Sequence, residues 1–565
     1  MSAWLFTDPV AALTPSGPDE LAAALAWRDG WTVLALDYEF GYLFEPASAP
    51  PAWRRDPARP LARLWRFAQA MPMRRAEADT WLATELAALS DDDRPAACGG
   101  LTPAIGPQHH AECIARIRDW IAEGDCYQVN FTFPLTFQTV GSPLALYAAL
   151  RARQPVRYGG VIVDAAGSVV SLSPELFLEK CGPCLVTRPM KGTAPRSDDP
   201  EALRHSAKNR AENLMIVDLL RNDLGRVAAT GSVRVESLFE IEAYPTLWQM
   251  VSQVAAEVGE QRLGEILPAL FPCGSITGAP KIRAMQIIGQ LEQAPRGLYT
   301  GALGWQAPQG DFRLNVAIRT LELAPDGSGR LGIGSGIVAD SDADDEWREC
   351  LLKARFLAEL DPGFCLIETL RREDGSYPRL VGHLRRLRAS AAWWGFAFDE
   401  AKVMASLSTQ SKDGIWRVRL TLAKDGALSL ESTPLMPEPV GERIAWLAEE
   451  RIASRHPLRH HKTTVRAAYD EALRRIAGRP EVFDVVFCNE RGEVAEGARS
   501  TVFVERDGVL LTPPLAAGAL PGVLRAELLA NGRAREAVLR PDDLADGFYL
   551  GNSVRGLVAV KLVRA

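Results

Sequence analysis

Apolar and polar positions change period several times along the chain, and each change marks an element. Between Ala202 and Leu220 apolar residues recur at threes and fours, the spacing of a helix with one buried face, and Gly225 in Arg221-Asn222-Asp223-Leu224-Gly225 suits a left-handed cap. The spacing returns over residues 343–360 through Trp347, Leu351, Ala354 and Phe356, until Asp361-Pro362-Gly363 stops the helix. A fresh strand is expected over 364–370, then a turn at Asp374-Gly375, a strand-like 378–381 and an arginine-rich amphipathic helix over about 382–394. Period-two alternation over 416–422, 482–488, 501–505 and 509–512, each beside a glycine turn such as Asp425-Gly426 or Asp507-Gly508, predicts short strands.

These patterns divide the chain. Residues 1–360 read as one domain, with an N-terminal subregion to about residue 100 and a core over about 100–358. Residues 361–363 form a linker, and 364–565 a second domain of α+β character. Residues 47–51 and the polar stretch 90–108 read as surface loops of the first domain. The composition, 47% apolar and 24% charged, is that of an ordinary globular protein. A formal net charge of −7 with no basic stripe excludes a nucleic-acid binder. The longest apolar runs, such as 21–27, are too short to span a bilayer, so no membrane partner is expected. Nine cysteines, an odd number, behind an N-terminus without a basic leader fit a reducing cytoplasm.

Ten lysines stand against fifty-four arginines, so arginine carries most surface charge and each lysine invites a chemical question. An ammonium that loses its proton can act as a nucleophile, and a guanidinium cannot. Lys191, in Arg188-Pro189-Met190-Lys191-Gly192-Thr193, and Lys462, in His460-His461-Lys462-Thr463, fall in different domains. Glu212 lies one turn before Met215 and Ile216, while Glu346, Glu349 and Lys353 share a later helical face. Two glutamates converging from separate helices would hold Mg²⁺ with few carboxylates; solvated charge, or a simple Glu349–Lys353 ion pair, is the plainer alternative. Gly274 to Lys281 reads as a glycine-rich helix opening whose amides could meet a carboxylate, and it lacks the Gly-Lys-Ser/Thr of a phosphate loop. Gly334-Ser335-Gly336 admits close backbone approach to a ligand, and Arg319, in a strand-like run, could grip a carboxylate bidentately. Cys181-Gly182-Pro183-Cys184 reads as a hairpin turn, since no second pair completes a zinc site.

Taken in order, Ser173-Pro174-Glu175-Leu176-Phe177, Lys191-Gly192-Thr193, Ala211 to Asp218, Phe271 to Lys281 and Gly334 to Ser341 resemble the chorismate-utilising family. The resemblance implies an α/β sandwich in which Mg²⁺, held by Glu212 and Glu349, binds one carboxylate of chorismate. Arg319, Tyr299, Lys353, Thr193, Thr277 and the segment Gly334, Ser335 and Gly336 would hold the rest. Lysine before Gly192-Thr193 is similar to the aminodeoxychorismate synthase branch; anthranilate- and isochorismate-forming relatives usually have alanine there. In that branch the Lys191 amine adds to C2 of the ring, Glu175 protonates the leaving C4 hydroxyl, and ammonia at C4 expels the lysine. Asn130 stands where water-activating relatives place a lysine base, and Gln249 departs from a common histidine. No cysteine here has a glutaminase nucleophile context, so a separate glutamine amidotransferase subunit, or free ammonia, is implied.

The second domain resembles the fold-type-IV pyridoxal 5'-phosphate enzymes through His383 to Ser390, the Lys462 segment, Glu496 to Phe503, Leu520 to Arg525 and Asn552 to Gly556. This implies that Lys462 holds the cofactor, that Glu496 keeps its pyridine nitrogen protonated, and that Arg386 with the backbone at Val523, Leu524, Ser553 and Val554 cradles its phosphate. It also implies a homodimer through this domain. The shared motifs fit an aminotransferase as well as a 4-amino-4-deoxychorismate lyase, and fusion to the synthase-like domain favours the lyase. The combined expectation is a two-step enzyme of 4-aminobenzoate formation. The alternatives are an anthranilate synthase component joined to an aminotransferase, and an active synthase carrying a non-catalytic C-terminal domain.

Overall fold

The computed structural model describes residues 2–51, 53–244, 247–409, 413–439 and 441–564. The chain forms two compact units. The first comprises residues 1–88, 101–137 and 143–360; the second comprises 89–100, 138–142 and 361–565. The polar stretch at 90–108 is therefore more than a loop of the first unit: it contains the strand Ala97–Pro103, and residues up to Gly100 pack with the second unit. In that unit a Cβ on Gly99 would lie 2.0 Å from the Trp393 ring, so only glycine fits there.

The first unit is built on two large sheets. In one, the strands run in the order Met190–Pro195, Leu247–Glu257, Cys184–Arg188, Leu176–Cys181, Phe312–Val316, Ala302–Gln306, Trp31–Leu36, Ala62–Phe67 and Ala11–Leu13. Those neighbours pair antiparallel, so the α/β expectation resolves into helices packed on antiparallel sheets. Side chains of both sheets, including Leu34, Leu178, Phe312, Phe131 and Ile337, join the helical Ile216, Val217, Ile287 and Ile288 in one buried core. Burying each such side chain stabilises by roughly 1.5–3 kcal/mol.

The helix expected from Ala202 is interrupted: Pro200–His205 ends at Ser206, whose hydroxyl caps a new helix, Ala207–Gly225, through Asn209 N at 3.4 Å. Gly225 remains helical and Arg226 forms the C-cap, so the left-handed cap is not used. The segment 274–279 leads into a helix through a 3-10 turn, Gly274–Ile276, and a short strand, Gly278–Ala279. The helix begins at Lys281, after Pro280. The 343–360 pattern forms Ala343–Ala358, with Asp342 as N-cap to Asp344 and Asp345 N.

In the second unit an antiparallel sheet of Leu366–Glu373, Ile415–Leu422 and Leu428–Pro434 packs on the helix Leu380–Trp394 through Leu366, Leu370, Leu387 and Val418. Residues 378–381 turn directly into that helix and form no strand. The other sheet orders Val494–Gly497, Val482–Asn489, Ile444–Ile452, Gly556–Arg564, Phe548–Asn552, Thr501–Arg506, Val509–Thr512 and Ala534–Glu536. Three of its pairings are parallel, which alternation alone does not predict. Among the described residues no helix is long and apolar enough to cross a membrane.

Candidate active sites

In the first unit, Lys191 lies in the strand Met190–Pro195, at a break in the ladder to Leu247–Glu257. Met190 opposes Val251 and Thr193 opposes Gln249, so one extra residue is accommodated on the Lys191 side. Bulges of this kind re-aim a side chain. Gly192 has φ +92, and a Cβ there would stand 3.1 Å from Asn209, which explains the glycine. Burial lowers the Lys191 amine below the ordinary ammonium range; nearby Lys353 lowers it further, against the carboxylates of Glu175, Glu212 and Glu349. Five sequence candidates therefore converge here.

Glu175 is 4% exposed, and burial raises its carboxyl to about 7, against the stabilising hydrogen bond from Ser275 Oγ at 2.7 Å. At neutral pH it is poised to hold a proton that the Lys191 neighbourhood can use. Ser275 escapes sequence reasoning because serine in a glycine-rich segment reads as turn chemistry. The Cys273 thiol lies 3.2 Å from the same hydroxyl, and Asn130 Nδ2 donates to Ser275 O at 3.4 Å.

Burial and the like charges of Glu349 and Asp340 raise Glu212, against Lys191 and Lys208. Burial alone would raise Glu349, but Lys353, 2.7 Å away, and Lys191 bring it below its ordinary value. The plainer ion pair thus forms, and two neighbouring carboxylates still present the sparse oxygen set that Mg²⁺ accepts. Among the described residues no group of three or more His, Cys, Asp and Glu surrounds a common point. Glu346, the other acidic residue on the helical face of Glu349, accepts from Ser341 Oγ at 2.7 Å instead.

Arg319 lies between the strands Phe312–Val316 and Thr320–Leu323 at φ +49, a backbone conformation costly for arginine. Its guanidinium has no ion-pair partner among the described residues, and burial lowers it. Thr300, next to Tyr299, is similarly strained at φ +62, and its N–H donates to Ala317 O. Burial raises Tyr299, against Arg296, and its ring lies where a Cβ on Gly332 would sit, 2.1 Å from Cδ1.

Several candidates also have partners within the protein. Side chains at Gly334 and Gly336 are excluded by the strand Gln128–Val140, through Phe131 O, Gln128 and Asn130, so close packing within the protein accounts for both glycines. Gly334 O accepts from Lys353 Nζ at 2.8 Å, and the buried Ser335 Oγ accepts from the Cys350 thiol at 3.7 Å. The Thr277 hydroxyl donates to Gly274 O and Cys273 O, which fixes the loop. Lys281, at the end of the same segment, is held by Asp223 at 2.6 Å.

In the second unit the edge strand Leu366–Glu373 organises the site. Ile367 N donates to Lys462 O at 2.8 Å, Thr369 O accepts from Ser553 Oγ at 3.4 Å, and Arg371 donates to Val554 O at 3.3 Å. Burial, then Arg466 and Arg386, lower the Lys462 amine to about 7, against Glu368 and Glu496. Glu368, 2% exposed and absent from the sequence candidates, accepts from Arg386 Nε at 2.9 Å and Nη2 at 2.5 Å and pairs with His383 Nδ1 at 2.6 Å. Burial opposes ionisation, but Arg386 and His383 bring its carboxyl down to about 2. An acidic residue at a buried strand position in Leu366-Ile367-Glu368-Thr369-Leu370 is the signal that could have found it.

Arg386 also donates to Pro521 O at 3.2 Å, beside the N-terminus of the helix Val523–Ala530, whose N-cap Gly522 supplies no side-chain acceptor. That leaves the amides of Val523 and Leu524 for an anion. The Val554 amide differs, being taken by Asn552 Oδ1 at 3.0 Å. Glu496 accepts from Tyr469 Oη at 2.5 Å and Leu520 N at 2.9 Å, and burial raises it, against both bonds. A lysine near neutrality, a fixed carboxylate and an arginine beside open helix amides fit pyridoxal phosphate.

Residues 7–359 match the family model described as chorismate binding enzyme. The chain belongs to that family. Residues 365–563 match a second model, amino-transferase class IV. Aminodeoxychorismate synthase component 1 of Escherichia coli is 39% identical over 263 residues, 45% of this chain and 58% of that protein. Anthranilate synthase component 1 of Streptomyces coelicolor is 41% identical over 265 residues, 45% of this chain and 52% of that one. The chain spans about half the length of the curated relatives it matches. The solved anthranilate synthase component I from Streptococcus pneumoniae superposes with TM-score 0.55 at 25% identity, covering 63% of this chain and 91% of that one.

Proposed function

We propose that the chain makes 4-aminobenzoate in two steps, converting chorismate to 4-amino-4-deoxychorismate in the first unit and releasing pyruvate from that intermediate in the second. The observation that carries the first step is Lys191, a half-buried amine lowered below its ordinary range beside a carboxyl raised to about 7. The neutral amine adds at C2 while Glu175 gives its proton to the departing C4 hydroxyl, and ammonia from a separate glutaminase subunit then displaces the lysine. Mg²⁺ held by Glu212 and Glu349 would take one substrate carboxylate, and Arg319, which has no ion-pair partner among the described residues, would grip the other.

In the second unit, pyridoxal phosphate when bound supplies the electron sink for removing a proton beside the substrate nitrogen. Lys462 carries that proton, Glu496 holds the charge at the pyridine nitrogen, and Arg386 with the 523–524 amides orients the phosphate. Fusion to a first unit that would make the substrate of the second favours the lyase over an aminotransferase.

The anthranilate-forming reading has the Streptomyces coelicolor relative in its favour. Incubating the full chain with chorismate, ammonia, Mg²⁺ and pyridoxal phosphate separates the readings by product: 4-aminobenzoate and pyruvate are expected, and anthranilate as the main product would overturn the proposal.

A further inference from the structure

Gln249 has no place in the chemistry above, yet its side chain is 8% exposed and both ends of its amide are used. It lies on Leu247–Glu257 directly opposite Thr193, where the ladder skips a residue to accommodate Lys191 and Gly192. Gln249 Nε2 donates to Gly192 O at 2.9 Å, and Gln249 Oε1 accepts from Thr193 Oγ1 at 3.0 Å. A bulge leaves backbone groups outside the regular ladder, and a buried carbonyl without a donor is unfavourable. One amide thus supplies a donor and an acceptor to the two residues that follow Lys191.

We infer that Gln249 is a positioning residue: it clamps the Gly192-Thr193 bulge and so aims the Lys191 amine. The inference rests on Lys191 being the nucleophile. Three features support the clamp over a purely packing role. Gly192 is in the left-handed region, so the bulge needs a fixed partner to hold one geometry. Asn209, on the other side of Gly192, points its amide nitrogen at Ser206 Oγ at 2.9 Å, so it does not hold Gly192 O. An amide also satisfies both groups without adding charge beside an amine that must lose its proton.

The replacements Gln249→Met and Gln249→Glu in the full chain test this. Methionine keeps the shape and removes both bonds; glutamate keeps the acceptor for Thr193, removes the donor to Gly192 O, and places a carboxylate near Lys191. Both are expected to lower kcat for ammonia-dependent consumption of chorismate by about tenfold to a hundredfold, the scale of a small misplacement of a reacting group. KM for chorismate should stay within about threefold, because the proposed carboxylate grips, Arg319 and the Glu212–Glu349 pair, are untouched. Glutamate should also move the acidic limb of the kcat–pH profile to higher pH, since a carboxylate favours the ammonium. An inactive fraction cannot produce that movement. Pyruvate release from supplied 4-amino-4-deoxychorismate should be unchanged in both.

Wild-type kcat in either variant, a loss confined to KM, or an unmoved acidic limb in Gln249→Glu would overturn the inference. Should Gln249→Met unfold the first unit, Gln249→Glu carries the test. Lys191→Ala separates the two levels: if it stays active, the nucleophile reading falls, and if it is inactive while the Gln249 variants keep wild-type kcat, only the clamp falls.

Discussion

The two lysine sites use the same physical device in opposite settings. Burial lowers the amine at both Lys191 and Lys462. Around Lys462 the charged groups are closed among themselves: Glu368 has Arg386 and His383, and Glu496 has Tyr469 and Leu520 N. Around Lys191 the set is open. Glu212 is raised beside Glu349, Glu349 shares a half-exposed Lys353, and Arg319 has no ion-pair partner among the described residues. A site that keeps one resident cofactor can be fully pre-organised, whereas one that assembles a cation, an anionic substrate and ammonia at each turnover must leave charges unsatisfied until they arrive.

Breaking either lysine tests the contrast most severely. Lys191→Ala should reduce chorismate consumption by at least about a thousandfold while pyruvate release from supplied 4-amino-4-deoxychorismate continues, as expected when a nucleophile is lost from an independent site. Lys462→Ala should abolish the visible absorbance of the bound cofactor and leave chorismate consumption intact. Loss of both activities in either variant would argue against independent sites.

Glu368→Ala attacks the closed network. Removing one partner of a buried ion pair costs on the order of 3–5 kcal/mol, so weaker cofactor binding and a lower unfolding midpoint are expected from cofactor titration and thermal denaturation. The native pair should show a matching pH dependence. Glu368 has its carboxyl depressed from 4.5 to about 2, so its contribution is complete above about 4.5 and fades as pH falls toward about 2. Wild-type cofactor affinity in Glu368→Ala would show that Arg386 needs no such support.

Ser275→Ala is the mildest perturbation. Chorismate consumption should fall as pH rises past about 7, where Glu175 loses its proton. Ser275 stabilises the Glu175 carboxylate, so removing the hydroxyl should move that alkaline limb to higher pH, with a rate loss of about tenfold or less. An unchanged limb would place another group in control.

Much of both sites was legible because motif residues are local: Lys191, Glu175, Glu212, Glu349 and Lys353 come together, as do Lys462, Arg386 and Glu496. What escaped depends on pairing between distant segments. Ser275 acts through Glu175, a hundred residues away, and Gln249 through a bulge opposite Thr193; neither register can be read from periodicity. At Gly334 and Gly336 the sequence cannot distinguish close approach to a ligand from close approach to a neighbouring strand, and the strand contacts appear only in the fold. The helix interruption at Ser206 was hidden by continuous apolar spacing, although a serine followed three residues later by Asn209 is a usable cap.

The most direct test of two successive chemistries in one chain is the product of the Lys462→Ala variant given chorismate, ammonia and Mg²⁺. The account predicts that 4-amino-4-deoxychorismate accumulates and that adding intact wild-type chain converts it to 4-aminobenzoate and pyruvate. Accumulation of anthranilate, or formation of 4-aminobenzoate by Lys462→Ala alone, would contradict it.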